Sequence, residues 1–296
     1  MKNQFVNGSV AWPLRCTARE PVQIVSGDVR KILGEIPNEI FHACITSPPY
    51  WGMRDYGHEN QIGAEETLDE YVENLVSCFR EVHRVLRADG TLWLNIGNTY
   101  TSGGRAWRDK DSKNKGRAMS YRPNTPSGLK PKDLIGVAWM VALALQADGW
   151  YLRSDIIWHK PNCQPESVKD RVTVSHEYLF MLSKSENYYF DQESIKEDTA
   201  DGLSKKNKRT VWSINTEPCK EAHFAVFPRA LIRPCILAGT PEGGIVFDPF
   251  FGSGTAGVVA IETGRLCVGV EAKPEYVEIA KNRIRKASMP LFTSSL

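Results

Sequence analysis

The sequence predicts an α/β domain built around a mostly parallel β-sheet. Short apolar runs typical of buried strands alternate along the chain with segments whose apolar residues recur at the helical period. Several of these runs end at glycine or proline turns, as expected where strands give way to loops. No internal repeat is visible, and 296 residues are enough to bury a sizeable core in one large domain or two small ones.

The predicted elements follow from these patterns in chain order. The apolar runs predict strands over 22–26, 43–46, 91–96, 154–158, 177–183, 244–247 and 267–270. Helical periodicity or a helix-like apolar composition predicts helices over 68–86, 134–146, 228–237, 258–263 and 274–286. Two stretches interrupt the alternation: 103–132 is rich in Gly, Ser, Pro, Asn and basic residues, and 186–222 has the composition of a small inserted subdomain.

The composition excludes several classes of protein. Hydrophobic residues at 42% and charged residues at 24% exclude a largely disordered, collagen-like or disulfide-dense chain. The longest apolar run, 137–145, is far shorter than a membrane-spanning helix requires, and the N-terminus lacks the apolar core of a signal peptide. We therefore expect a cytoplasmic protein with no membrane partner. The seven cysteines are scattered without C-x-x-C spacing, so we expect reduced thiols and no metal site.

The positive charges are unevenly distributed along the chain. Residues 101–132 carry nine Lys/Arg and two Asp, a surplus of +7, so the rest of the chain is net acidic at 2 − 7 = −5. A second cluster, 205–209, adds four positive charges in five residues. The overall charge of +2 predicts no acidic partner by itself, but these two segments do offer surfaces for one.

A glycine-rich turn with the sequence DPFFGSGT, residues 248–255, stands between a predicted strand and a predicted helix. Its glycines let the backbone approach a ligand closely, and the helix N-terminus offers free N–H groups. Glu271 ends the next strand, where an acidic residue meets a ribose hydroxyl in nucleotide-binding folds. The pattern favours a nucleotide-type cofactor over a turn whose glycines only permit packing. Because Gly257 completes a G-x-G-x-x-G spacing, the motif alone does not exclude NAD.

A second motif with the sequence TSPPYW, residues 46–51, lies at the end of another predicted strand. Consecutive prolines remove two N–H donors and fix an extended backbone, which leaves carbonyl oxygens without partners. Beside them stand a hydroxyl and two aromatic rings, a set that suits a planar ligand bearing an amino group. A rigid turn with core aromatics is the alternative, but ligands of α/β proteins bind at such strand ends.

Together the two motifs resemble those of the β-class S-adenosylmethionine-dependent DNA amino-methyltransferases, the N6-adenine and N4-cytosine enzymes. The order, catalytic motif first and cofactor motif last, is that of this class. Residues 26–28, 149–150, 158–161 and 223–228 resemble further family segments in the same order, so the resemblance covers nearly the whole chain. It implies a circularly permuted Rossmann-like methyltransferase fold: a mostly parallel seven-stranded sheet with helices on both faces and a small target-recognition insertion.

The resemblance also implies how the chain is divided. Residues 1–100 and 133–185 are expected to form the catalytic half of the methyltransferase domain, and 223–296 the cofactor-binding half. Residues 101–132 are expected to be a basic, mobile loop that orders on DNA, and 186–222 the candidate target-recognition region.

On the catalytic side, the resemblance implies that Ser47 and the carbonyl of Pro48 accept hydrogen bonds from the exocyclic amine of a flipped-out base. Tyr50 is expected to stack on the base, with Trp51 as a second ring and Pro49 completing the motif. Catalysis then rests on positioning for in-line displacement rather than on a covalent nucleophile.

On the cofactor side, the resemblance implies S-adenosylmethionine, with S-adenosylhomocysteine as product and no metal. Asp28 is expected at the adenine end and Glu271 at the ribose hydroxyls. The remaining predicted cofactor residues lie in the glycine-rich turn or in a segment that closes over the methionine part: Asp248, Phe250, Gly252, Gly254, Thr255, Phe224 and Phe227.

Double-stranded DNA is the expected partner. The basic residues predicted to contact it are Arg105, Arg108, Lys113, Lys115 and Arg117, with Trp107 and Tyr121 interleaved, and Lys205, Lys206, Lys208 and Arg209. The class also allows a homodimer and a cognate restriction endonuclease, in a bacterial or phage-encoded protein associated with the nucleoid.

Other chemistries and functions fit these residues less well. Methylation of cytosine C5 needs a Cys nucleophile, but Cys235 falls in a predicted helix and Cys219 in a loop, so we reject it. His159-Lys160 and His176-Glu177 are expected to shape the pocket rather than to act as bases.

An RNA or small-molecule methyltransferase and a non-catalytic DNA-binding protein are the rival functions. Serine at the head of the catalytic motif is commoner in cytosine-N4 enzymes, yet similar motifs occur in adenine enzymes, and we favour adenine by a small margin.

Overall fold

A computed structural model describes residues 14–53, 61–101, 123–199, 201–217 and 227–289. The strands are β1 Val22–Ser26, β2 Phe41–Thr46, β3 Leu86–Ile96, β4 Tyr151–His159, β5 His176–Ser183, β6 Glu197–Asp198, β7 Lys205–Lys206, β8 Val211–Ser213, β9 Ile245–Asp248 and β10 Leu266–Glu271. The α-helices are α1 Val29–Glu35, α2 Leu68–Val85, α3 Val137–Ala147, α4 Arg229–Gly239, α5 Thr255–Glu262 and α6 Pro274–Ser288, and a 3₁₀ turn covers Glu193–Ile195.

The main sheet has the strand order β1-β10-β9-β2-β3-β5-β4-β8. Neighbouring strands are parallel except at β5, which runs antiparallel to both β3 and β4. The mostly parallel α/β sheet is therefore confirmed. The predicted count of seven strands is wrong, because β8 pairs with β4 and makes an eighth. The circular permutation describes a relation to other enzymes and stays a prediction.

The region 186–222 contributes to the main sheet as well as forming structure of its own. Its β8 is held by a buried Trp212, whose ring belongs to the hydrophobic core on one face of the sheet. Strands β6 and β7 pair with each other as a two-stranded antiparallel ribbon. The described part of the region therefore contains both a strand of the main sheet and a separate ribbon, and its role in target recognition stays a prediction.

Helices cover both faces of the sheet, as predicted. On one face, α1, α2 and α3 bury a hydrophobic cluster that includes Leu33, Tyr71, Phe79 and Leu145. On the other face, α4, α5 and α6 bury a second cluster that includes Ile236, Val259 and Ala280. A sheet buried on both faces explains why its strands are almost continuously apolar.

Strand β3 and helix α1 show how the observed elements depart from the sequence prediction. Strand β3 begins at Leu86 rather than at residue 91, because Leu86 is fully buried and pairs with Phe41 of β2. Helix α1 was not predicted from its short apolar pattern. It begins after Asp28, whose carboxylate accepts the Arg30 backbone N–H at 3.0 Å and so caps the first turn.

The parallel strands bring distant motifs to one edge of the sheet. The carboxyl ends of β1, β10, β9 and β2 lie side by side, so Asp28, Glu271, Asp248 and Ser47 come from four adjacent strand ends. Strand β1 lies in the range 1–100 but pairs with β10, which places Asp28 beside the C-terminal strands rather than beside the Ser47 motif.

The glycine-rich turn is seated on a buried aromatic ring. Phe251 is buried, and its backbone N–H donates to Val270 O at 2.9 Å. A Cβ on Gly269 would lie 2.1 Å from Phe251 Cδ2, and one on Gly257 would lie 2.9 Å from Phe251 Cζ. Both glycines therefore make room for the ring.

We predict that Gly269→Ala destabilises the protein by roughly 3 kcal/mol, because the new methyl group overlaps the Phe251 ring and forces the turn to move. Gly34→Ala is the matched control. Gly34 lies on the exposed side of α1 with no atom within 4 Å of its virtual Cβ, so this change is neutral or stabilising by roughly 0.5–1 kcal/mol. Urea unfolding monitored by circular dichroism measures both, and equal stabilities would contradict the packing role of Gly269.

Candidate active site

The glycine-rich turn is closed by the carboxylate of Glu271. Gly252 and Gly254 have φ values of +52° and +80°, a left-handed conformation that favours glycine. The backbone N–H of Gly252 donates to Glu271 Oε2 at 2.7 Å, and that of Lys273 donates to Oε1 at 2.8 Å. These two hydrogen bonds make the Glu271 carboxylate part of the structure of the turn.

Asp248 links the turn to the neighbouring strand β2. Its Oδ1 accepts the Thr46 hydroxyl at 2.6 Å and the Phe250 backbone N–H at 3.1 Å. Its Oδ2 is buried and has no hydrogen-bond partner among the described residues. Burial, with a smaller contribution from the negative charge of Glu271, raises the pKa of Asp248 to about 7. A cationic group bound beside it would offset this cost.

Arg283 of α6 fixes the middle of the turn and was missed at the sequence level. Its guanidinium donates to Ser253 O at 2.8 Å and to Thr255 Oγ1 at 3.1 Å, and it also contacts the Ser253 hydroxyl. One more arginine on a charged helix face gives no sequence signal for this role. The predicted cofactor residue Thr255 is thus also part of the scaffold of the turn.

The two adjacent phenylalanines of the turn have different environments. Phe251 fills the core, whereas Phe250 is only half-buried and meets Phe79 edge-on, with ring centroids 6.4 Å apart. Phe250, the predicted cofactor contact, is therefore the ring that keeps surface available for a ligand.

The Ser47 motif directly follows β2, and some of its polar groups are already hydrogen-bonded within the protein. Ser47 is half-buried, but the Pro49 carbonyl accepts the Tyr71 hydroxyl at 2.8 Å. The expectation of unpaired proline carbonyls is therefore wrong for Pro49, because α2 carries a donor against it. Trp51 is 4% exposed within the core, and its indole N–H donates to Glu65 O at 3.0 Å.

Tyr50 is the aromatic ring of the motif that remains at the strand ends. Its hydroxyl donates to Glu177 Oε2 at 2.9 Å, and burial together with the Glu177 charge raises the pKa of Tyr50 well above its usual value. Asn95 donates to the same carboxylate oxygen, and Lys160 forms an ion pair with the other. The prediction that Lys160 and Glu177 shape the pocket fits this arrangement, while Asn95 was missed.

A protein-family model for DNA methylases, N6_N4_Mtase, matches residues 41–282 of the chain. The chain belongs to this family. Its relatives include the Type II methyltransferase M.SmaI of Serratia marcescens, which is 64% identical over 88% of this chain and 90% of its own length. The Type II methyltransferase M.Cfr9I of Citrobacter freundii is 57% identical over 88% of this chain and 87% of its own.

The fold also matches solved structures of methyltransferases. The PvuII DNA methyltransferase (cytosine-N4-specific) has a TM-score of 0.68 and 22% identity, with 93% of this chain and 88% of that chain covered. Family membership confirms the resemblance seen in the sequence. It also confirms the prediction of a DNA methyltransferase that uses S-adenosylmethionine.

Other residues predicted for the methylase site differ in how freely they are presented. The Asp28 carboxylate is paired with Arg30, Nη2 to Oδ2 at 2.7 Å, and hydrogen bonds from this arginine lower the pKa of Asp28. Phe227 is half-buried and packs against the second hydrophobic cluster. Phe224 and the basic residues Arg105, Arg108, Lys113, Lys115 and Arg117 lie outside the described residues.

The basic cluster 205–209 is partly neutralised within the fold. Lys208 pairs with Glu197 at 3.2 Å, lies over the Trp212 ring at 4.8 Å and is only 19% exposed. Arg209 also contacts Glu197, and Lys205 pairs with Asp198 at 3.2 Å, although both cations stay mostly exposed. Lys208 therefore supports the local structure, whereas Lys205 and Arg209 are exposed and Lys206 is half-buried.

In the part of the chain that the structure describes, no group of three His, Cys, Asp or Glu side chains is placed to hold a metal ion. None of the described helices is both long and apolar enough to cross a membrane.

We predict that Asp248→Asn changes how stability depends on pH. The folded-state pKa of about 7 lies above the ordinary value of 3.8, so the favourable contribution of the protonated carboxyl is complete below pH 4 and is lost as the pH rises through 7. Above pH 7 this loss reaches on the order of 4 kcal/mol of the free energy of unfolding in wild type. The asparagine variant has no carboxyl at this position and does not show the loss. Thermal unfolding without cofactor should show the variant gaining relative to wild type between pH 5 and pH 8. A pH-independent difference would contradict the assignment.

Proposed function

We propose that the protein is a site-specific DNA methyltransferase that transfers the methyl group of S-adenosylmethionine to the exocyclic amine of a flipped-out base. The observation that carries the proposal is the contact between the two motifs at one sheet edge. The Thr46–Asp248 hydrogen bond joins the strand that leads into Ser47 to the strand that leads into the glycine-rich turn. A cofactor on the turn and a base on the Ser47 motif would therefore be neighbours.

The residues of the turn fit S-adenosylmethionine. The compact backbone at Gly252 and Gly254 leaves room for close approach, and Glu271, at the end of β10, would bind the ribose hydroxyls. The buried, unpaired Asp248 oxygen favours a cationic ligand at the turn. When bound, S-adenosylmethionine supplies an electrophilic methyl group on a positively charged sulfur. Phe250 would lie against the cofactor and help to exclude water.

The residues of the Ser47 motif fit an exocyclic amine. Such an amine is a weak nucleophile because its lone pair is delocalised into the ring, so acceptors for its two hydrogens assist the reaction. Ser47 and the Pro48 carbonyl would supply these acceptors, since the Pro49 carbonyl is already used by Tyr71. Tyr50 would stack on the base, which repays part of the cost of base flipping.

Carbon methylation through a cysteine has no support at this site. Cys235 lies in α4, its thiol donates to Leu231 O, and burial raises its pKa, so it is a buried structural thiol. The amine as direct nucleophile therefore remains the proposed chemistry. Both adenine N6 and cytosine N4 suit the same acceptors, and the earlier preference for adenine stays a prediction.

The proposed substrate is double-stranded DNA. The exposed cations Lys205 and Arg209, the half-buried Lys206 and the positive surplus of 101–132 would contact the phosphates. Target recognition by 186–222, a second copy of the chain and a cognate restriction endonuclease stay predictions. The family and its Type II relatives favour DNA over RNA or a small molecule as the methyl acceptor.

We predict that DNA from cells expressing the protein carries one modified base within one short sequence, and that Ser47→Ala abolishes the modification while DNA binding is kept. Sequencing that detects both N6-methyladenine and N4-methylcytosine measures base and site together. An unmodified genome in cells that contain folded wild-type protein would contradict the proposal, as would full modification by Ser47→Ala.

The cofactor site is tested separately by the double substitution Phe250→Ala and Glu271→Ala. Loss of an aromatic contact and of a carboxylate that closes the turn should weaken S-adenosylmethionine binding by more than about 100-fold, the equivalent of about 2.7 kcal/mol. Isothermal titration calorimetry measures the affinity, with the exposed α2 variant Glu73→Ala as control. Wild-type affinity in the folded double variant would place the cofactor elsewhere.

A further inference from the structure

The carboxylate of Glu177 is held by groups from three different elements. It accepts the Tyr50 hydroxyl at 2.9 Å and the Asn95 side-chain N–H at 3.2 Å on Oε2, and it forms an ion pair with Lys160 through Oε1. The side chains of Lys160 and Glu177 are only 17% and 20% exposed. Both side chains are half-buried, so this ion pair is less screened by water than one between fully exposed side chains.

The glycine after β3 makes this contact possible. A Cβ on Gly97 would lie 3.1 Å from Tyr50 Cε2 and 3.0 Å from Glu177 Cγ. Asn95, two residues earlier, also donates to Tyr178 O at 3.0 Å, which fixes its amide toward β5. The end of β3 thus provides both the space and a second donor for the Tyr50–Glu177 hydrogen bond.

The number of available protons determines the direction of the hydrogen bonds. A carboxylate only accepts, and a tyrosine hydroxyl has a single proton. Because Tyr50 donates that proton to Glu177, its oxygen presents only lone pairs to its other neighbours. Ser47 is such a neighbour, and its side chain interacts with the same Tyr50 oxygen. A Ser47 hydroxyl that bonds to this oxygen has to donate its proton, which would leave the lone pairs of Ser47 Oγ for another donor.

We propose that Glu177 is a positioning residue that acts through Tyr50. It fixes the Tyr50 ring at the end of β2 and orients the Ser47 hydroxyl as an acceptor for the substrate amine. This inference rests on the proposed function, in which Ser47 accepts a hydrogen bond from the exocyclic amine. Lys160 and Asn95 hold Glu177 in place through the ion pair and the second hydrogen bond to its carboxylate.

A double-mutant cycle with Tyr50→Phe and Glu177→Gln tests the inference. Tyr50→Phe keeps the ring and removes the hydroxyl, and Glu177→Gln keeps the shape and removes the acceptor-only carboxylate. Each substitution should slow the single-turnover rate of methyl transfer about tenfold. The double variant should also be slowed about tenfold, because both changes interrupt the same series of hydrogen bonds from Glu177 through Tyr50 to Ser47. The measurement is transfer of tritiated methyl groups from S-adenosylmethionine to DNA from a host that lacks the modification.

The affinities for S-adenosylmethionine and for DNA should stay within about twofold of wild type, because Tyr50→Phe keeps the ring that is proposed to stack on the base and Glu177 is not proposed to touch either ligand. Tyr151→Phe and Glu73→Gln are the matched controls. Tyr151 begins β4 at the opposite edge of the sheet, Glu73 is exposed on α2, and both variants should retain the wild-type rate.

Independent effects that multiply to about 100-fold would overturn the inference, as would a wild-type rate in Tyr50→Phe. If Glu177→Gln does not fold, Glu177→Asp replaces it in the cycle, because it keeps the charge but withdraws the carboxylate from the Tyr50 hydroxyl, and the same non-additivity is expected. A wild-type protein that does not label DNA would instead refute the proposed function. If the wild-type protein labels DNA but the rate effects of the two substitutions are independent, only the positioning role is refuted.

Discussion

The hydrogen bond from Thr46 to Asp248 is the interaction on which the site depends. The ladder between β2 and β9 includes only the pairs Ala43–Val246 and Cys44–Phe247, and the bond continues the contact beyond them. It joins strands that are about 200 residues apart in the chain. Because both groups are buried, neither has water as an alternative partner, and loss of either would leave the other unsatisfied.

Burial of the Asp248 carboxyl is unfavourable for folding, and the fold only partly compensates for it. Two donors satisfy one oxygen, and the other has no partner among the described residues. The pKa near 7 expresses this deficit. Under the proposed function, a cationic cofactor beside Asp248 would relieve this unfavourable burial, and that relief would contribute to the affinity for the cofactor.

The carboxylates of Glu271 and Glu177 are held by different kinds of hydrogen-bond donor. On the cofactor side, Glu271 accepts backbone N–H groups and so shapes the turn. On the catalytic side, Glu177 accepts side-chain donors and is balanced by Lys160. Because Glu271 accepts hydrogen bonds from the backbone, it fixes the geometry of the loop. Because Glu177 accepts hydrogen bonds from side chains, it controls the direction in which a hydroxyl points.

The sequence by itself determined the α/β class, most strand and helix positions, and the two motifs at strand ends. These depend on local patterns: apolar periodicity, glycine and proline turns, and an acidic residue after a strand. The resemblance added the family and the cofactor. Tertiary structure alone decided that Phe251 and Trp51 belong to the core while Phe250 and Tyr50 do not, since adjacent aromatics look alike until their neighbours are known. It also decided the eighth strand and the roles of Asn95, Glu177 and Arg283, because each depends on a partner far away in the chain.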